Sequence, residues 1–184
     1  MLELELTFLL QSFPPAFVEE VQTGNYQNIK SKKEIFDCYF PRSLDHPRIR
    51  LRKKGETFEL TKKVALSTTD ASIQEEQTLV LTAEEYQFFA QLEGKKIHKT
   101  RYRYEYLPGK FAEIDVFHWA LSWLVLVDFE FQDPAKKDNF SKPERCWWDI
   151  TQDTTIAWGI LAGKSYQDIL PLIQKYHYTP LFLT

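Results

Sequence analysis

The chain has 184 residues, 43% hydrophobic and 15% aromatic, enough for one domain with a sizeable core and too apolar for a disordered chain. A net charge of −3 gives no electrostatic footprint for nucleic acid, and no run approaches the roughly 18 apolar residues of a membrane span. Cys38 and Cys146 lack metal-ligand spacing or a disulfide framework, and no apolar leader-like stretch opens the sequence, so the expected location is the cytoplasm.

In chain order, Leu2 to Leu9 predicts a strand with Glu3, Glu5 and Thr7 on one face and Leu2, Leu4, Leu6 and Phe8 on the other. Pro14-Pro15 leads into a weakly helical stretch through Val21, closed by Gly24-Asn25. Gln27 to Lys33 and Ile35 to Phe40 read as two strand pieces, and Pro41 to Pro47 as a loop. Arg48, Arg50 and Arg52 then alternate with Ile49 and Leu51, which puts three guanidiniums on one strand face. After the turn at Lys54-Gly55, Thr57 to Val64 returns as a strand carrying Lys62 and Lys63.

Thr68 to Ser72 is loop-like, and Glu75 to Leu81 a strand. Thr82 and Glu85 have capping-box spacing for a helix to about Glu93, whose Tyr86, Phe89, Ala90 and Leu92 are expected in the core. Ile97 to Tyr106 is a strand with Lys99, Arg101 and Arg103 on one face. Pro108-Gly109 turns into the hairpin Phe111 to Phe131, with Glu113, Asp115, Asp128 and Glu130 on one surface and Ile114, Val116, Val127 and Phe129 on the other. Gln132 to Glu144 is a loop, Cys146 to Thr151 a short strand, and the tail from Thr154 helical, with Ile169, Leu172, Ile173 and Tyr176 as its apolar stripe. His46, His98, His118 and His177 have no zinc-ligand spacing and read as surface or packing residues. Without a repeat or linker, residues 1–184 form a single domain.

The strands are sorted by sign, acidic, basic, basic, acidic, each with an apolar reverse face. A solvated polar face would explain any one of them. A closed antiparallel barrel with a polar interior and helices packed outside, an α+β fold, explains all of them together. Four close carboxylates repel unless a cation sits among them, and a hard divalent ion such as Mg²⁺ or Mn²⁺ suits oxygen ligands. Arginines facing such acids suit a phosphate-rich ligand, and no GxxxxGK[ST] loop is present to make this a P-loop protein.

These motifs resemble the CYTH domain, the triphosphate tunnel metalloenzyme family. Glu3 and Glu5 match its opening Glu-x-Glu; RIRLRKKGETFELTKK matches its Arg-x-Arg strand and the Leu-Thr-x-Lys strand that follows; EEQTLVLTAEEY, KTRYRY, the acidic hairpin and ILAGKSYQDI match later segments in order. The resemblance implies an eight-stranded antiparallel tunnel barrel that hydrolyses a triphosphate, inorganic or a small organic one such as thiamine triphosphate, with Mg²⁺ or Mn²⁺. It implies Glu5, Glu76, Asp115 and Lys63 as catalytic residues. Substrate binding falls to Arg50, Arg52, Lys54, Lys63, Lys99, Arg101, Arg103 and Lys164, and metal binding to Glu3, Glu5, Glu113, Asp115, Asp128 and Glu130. The implied partner is a small-molecule triphosphate, with no membrane and no nucleic acid, for a monomer or homodimer. Alternatives are a polyphosphate- or nucleotide-binding module with weak or no turnover, and an adenylate cyclase. Two features depart from the family pattern: Thr7 stands where a lysine is usual, and the turn HWALSW lacks glycine.

Overall fold

The computed structural model describes residues 2–67, 69–143 and 147–183; Thr68, Glu144 and Cys146, which fall in the predicted loops and late strand, lie outside them. Eight strands form one closed antiparallel barrel: β1 Leu2–Leu10, β2 Ile29–Phe40, β3 Ile49–Lys54, β4 Thr57–Ala65, β5 Ile73–Leu81, β6 Lys95–Leu107, β7 Lys110–Phe117 and β8 Val125–Phe131. The order is β5-β4-β3-β2-β6-β7-β8-β1, and the ring closes where Leu2 to Leu4 pair with Ile73 to Glu75. A short β9, Trp147–Asp149, adds to the far end of β1.

Period-two alternation explains the two surfaces of the barrel wall. Outward-facing Phe8, Tyr102, Ile114, Val127 and Phe129 are buried in one core, which Phe17 of α1 (Pro15–Thr23) and Phe140 cover from outside. The inward faces are charged along most of their length and become apolar at one end. There Leu9, Tyr39, Ile97, Phe117 and Leu126 meet a plug built from Ile156, Leu161 of α4 (Trp158–Leu161) and Ile169 and Ile173 of α5 (Tyr166–Gln174). The barrel interior is therefore charged above an apolar floor.

Three local expectations are corrected. The two pieces between Gln27 and Phe40 form one strand, because β6 pairs along almost all of it. The helix capped by Thr82, α2 (Ala83–Phe89), ends four residues before Glu93 and buries none of its residues; Tyr86 lies against Phe58, and Phe88 and Leu92 face solvent. The chain turns there because Gly94 must approach β2: a Cβ would sit 2.5 Å from Cys38 Sγ and 2.8 Å from the Tyr39 carbonyl. The loop after β8 contains a short helix, α3 (Pro134–Asp138), capped by the Asp133 carboxylate on the Ala135 N–H. Among the described residues, no helix is long and apolar enough to cross a membrane.

Candidate functional site

Most of the inward-facing charges fall into three networks, and Arg50 belongs to none of them. On β2 and β3, Arg52 grips Asp37 in a two-pronged pair at 2.7 and 2.8 Å, with both side chains buried. Burial opposes the Asp37 charge, yet Arg52, with Arg50 and Lys99 behind it, holds the carboxyl far below the ordinary range. On β6, β7 and β8, Arg101 donates to Asp115 at 2.7 and 2.6 Å, to Asp128 at 2.8 Å and to Glu113. Lys99 also meets Asp115, at 2.6 Å. Burial, with Arg101 and Arg52 nearby, pushes the Lys99 ammonium down to about 8; the Asp115 carboxyl, against its own burial, is held low by Arg101 and Lys99. The third network centres on Lys63 of β4, 2.7 Å from Glu3, 3.3 Å from Glu76 and 4.0 Å from Glu5.

Arg50 stands apart. It is 7% exposed, its Nε has no hydrogen-bond partner, and among the described residues no carboxylate pairs with it. Asp37 and Glu76 feel its charge without contacting it, and a buried guanidinium with no contacting anion is costly to maintain unless an anion fills the space before it. That space exists. Arg50 lines a cavity of about 550 Å³ together with Glu5, Thr7 and Lys63, which runs on between Thr69, Ala71 and Gln74 on one side and Thr151, Gln152 and Trp158 on the other.

The carboxylates that crowd together on β1, β7 and β8, only some of which Arg101 contacts, fit a hard cation by their donor chemistry. Glu5 faces Glu130 across β1 and β8, and Glu113 faces Asp128 across β7 and β8. The Asp128 carboxyl is pushed well up by burial, then Glu5 and Asp115; that of Glu130 is raised by burial, Glu113 and Glu5. Like-charge repulsion of this kind is what a divalent ion relieves. Among the described residues, however, no three His, Cys, Asp or Glu side chains already stand in a metal-binding arrangement, since Arg101 lies among Glu113, Asp115 and Asp128.

Most residues singled out from the sequence meet in this interior. Lys54 joins them, its ammonium pushed down by burial and by Arg101 and Arg52. Two do not. Arg103 is exposed, with its guanidinium over the Phe111 ring at 3.9 Å, because β6 has by then reached the rim of the barrel. Lys164 precedes α5, where its charged neighbour is Asp168 rather than any tunnel acid. The sequence shows no sign of Asp37, and Arg48, placed there on one face with Arg50 and Arg52, is given no site role. Asp37 stands one strand away from any recognisable acidic pair, whereas Arg48 carried a usable signal, since it shares the alternation of Arg50 and lines the same cavity.

No family model matches the chain. It is similar to a protein of Nitrosomonas europaea named inorganic triphosphatase, 28% identical over 153 residues, spanning 83% of this chain and 91% of that one. Its fold is similar to a crystal structure of an inorganic triphosphatase, at 22% identity and a TM-score of 0.58, covering 88% of this chain and 95% of the other. A putative adenylate cyclase from Bacillus halodurans shares the fold at 12% identity and a TM-score of 0.52, over 98% of this chain and 92% of that one.

Proposed function

We propose that this chain, whose barrel is a triphosphate tunnel of the CYTH type, hydrolyses a triphosphate with the help of a divalent cation. The observation that carries the reading is Arg50, a buried guanidinium with no partner among the described residues, facing a cavity it shares with Lys63. The Nitrosomonas europaea relative, named inorganic triphosphatase, points to inorganic triphosphate as the first substrate to try.

Arg50 and Lys63 would bind phosphate oxygens, a task suited to a planar fork and a point charge. Asp115 and Asp37 would act through others, holding Lys99, Arg101 and Arg52 in place. Glu5, Glu113 and Glu130 would hold a Mg²⁺ or Mn²⁺ ion, which when bound supplies charge neutralisation at the phosphate oxygens and a more acidic water. In the reaction, water attacks the terminal phosphorus and the bridging P–O bond breaks. Pyrophosphate leaves against the guanidiniums, and the proton lost by water passes to a carboxylate. Glu3, pushed up to about 7 by burial and by Glu5, suits that proton at neutral pH. Positioning and charge stabilisation account for most of the rate in such transfers.

Phosphate release from tripolyphosphate, thiamine triphosphate, ATP and GTP, with Mg²⁺ or Mn²⁺ and with cyclic AMP followed in the same tubes, tests this. Release from tripolyphosphate that chelator abolishes is expected. Cyclic AMP without phosphate release, or no turnover of any of the four, would overturn the reading.

A further inference from the structure

We propose that Trp158 is a positioning residue of this site: its indole holds the Lys99 ammonium against Asp115 and, through that carboxylate, sets Arg101 among the acids of β7 and β8. The proposal rests on the triphosphatase reading for its effect on turnover, and it gives a working part to the plug that closes the barrel floor. Lys99 Nζ lies 3.7 Å from the centre of the Trp158 ring and 2.6 Å from Asp115 Oδ2, so the ammonium is held between an aromatic ring and a carboxylate. Such a ring attracts a cation most when the cation is out of water. Lys99 is 1% exposed, and Asp115 is wholly buried.

The hold extends further because Lys99 shares an oxygen. Asp115 Oδ2 also accepts from Arg101 Nη2 at 2.6 Å, and that same Nη2 donates to Asp128 at 2.8 Å, while Arg101 Nη1 donates to Glu113. With Lys99 in place, Asp115 takes only part of the guanidinium, and Arg101 spreads the rest over Asp128 and Glu113. Once Lys99 leaves that oxygen, Asp115 draws Arg101 in and the neighbouring acids lose part of their counter-charge.

The fold fixes the indole. Lys99 and Phe117 face each other across β6 and β7, and the Trp158 ring stacks on Phe117 with centres 5.5 Å apart and 14° between the planes. Just past the end of α4, the Gly163 N–H donates to the Lys96 carbonyl at 3.2 Å, which ties the helix to β6 next to Lys99. On the other side a Cβ on Gly159 would lie 2.7 Å from the Pro47 carbonyl, so glycine lets α4 meet that loop at backbone distance. Trp158 also lines the cavity shared by Arg50 and Lys63, so an effect on ligand binding has to be read apart from an effect on turnover.

Trp158→Leu and Trp158→Phe, each made in the wild type and in Lys99→Met, test the proposal by three measurements. These are phosphate release from tripolyphosphate with Mg²⁺, calorimetric affinity for tripolyphosphate in chelator, and unfolding in urea. Trp158→Leu is expected to lower kcat about tenfold while affinity stays within about twofold, and Trp158→Phe, which keeps an aromatic face, to recover most of the loss. In Lys99→Met, where no ammonium remains to be held, Trp158→Leu is expected to cost no further kcat. A tenfold loss in both backgrounds would make Trp158 a packing residue alone and overturn the proposal, as would weakened binding with kcat unchanged. If the wild type hydrolyses no triphosphate, the triphosphatase reading fails, and the hold on Lys99 is still read from unfolding. The urea midpoint should then fall further on Trp158→Leu in the wild type than in Lys99→Met, and equal falls would overturn the proposal.

Discussion

Arg50 and Arg52 lie two residues apart on one strand face, and replacing each by alanine should have opposite consequences. Arg50 is buried without a partner, so the ligand-free protein already bears its desolvation, and Arg50→Ala should leave the melting temperature at or above that of the wild type. Its cost should appear on binding. One lost charge-assisted hydrogen bond is worth about 1.5–3 kcal/mol, or roughly 10- to 150-fold in the dissociation constant for tripolyphosphate. Arg52→Ala instead strands Asp37, which is 3% exposed and accepts both of the Arg52 hydrogen bonds. Leaving such a carboxylate unpaired costs about 3–5 kcal/mol, which in a domain of this size lowers the melting temperature by roughly 6–20 °C. Calorimetry with tripolyphosphate, paired with scanning calorimetry of the free proteins, reads both quantities. The reasoning fails if Arg50→Ala melts as early as Arg52→Ala, or if its affinity stays within twofold of the wild type.

Asp115→Asn should abolish turnover and also destabilise the fold by about 3–5 kcal/mol, because the carboxylate is held between two buried cations rather than repelled by other acids. An unchanged unfolding midpoint in urea would contradict this. Glu3 links stability to pH. Its carboxyl sits at about 7 against an ordinary 4.5, so the folded chain keeps a proton that the unfolded chain releases. The stabilising contribution is full below about pH 4.5 and is lost as pH rises through 7. Glu3→Gln should therefore flatten the fall in melting temperature between pH 4.5 and 8 in chelator; parallel profiles for the two proteins would refute the assignment.

Strict alternation made the faces of β1, β3, β7 and β8 legible, since in a strand a residue's side follows from its number. Closure of the barrel was legible for the same reason: acidic and basic faces with apolar backs need each other's company. The pairings were not. Whether Asp115 meets a metal or Lys99 depends on the register of β6 against β7, which places Arg101 opposite Asp115, and residue type does not encode that offset. Nor could alternation foretell the apolar floor. Leu9, Phe117 and Leu126 continue the same inward faces as Thr7, Asp115 and Asp128, and become apolar because α4 and α5 seal that end. Helical periodicity in α2 suggested a buried side where the barrel wall leaves it largely exposed, because an amphipathic stripe shows what a helix could bury and not how much wall is there to receive it.

Thr7 lies at the junction between the open cavity and the acidic cluster. It lines the cavity with Arg50 and Lys63, yet its hydroxyl donates to Asp128 Oδ1 at 3.0 Å. In this position it serves the protein's own carboxylate before it can serve a phosphate. Asp128, raised by burial and by Glu5, has Arg101 on its other oxygen. An ammonium at position 7 would therefore pair with Asp128 Oδ1 and add one positive charge to the cavity wall. At about 6 Å from a phosphate charge and an effective dielectric near 20, that charge is worth roughly 3 kcal/mol before screening. Its pairing with Asp128 and solvent in the open cavity reduce this to about the 1.4 kcal/mol that makes a tenfold change. Thr7→Lys should thus tighten tripolyphosphate binding about tenfold, with the gain shrinking as salt rises. Thr7→Gln, which extends into the cavity but carries no charge, should gain nothing. A folded Thr7→Lys chain that binds no more tightly than Thr7→Gln at low salt would show that charge at this position does not limit the site.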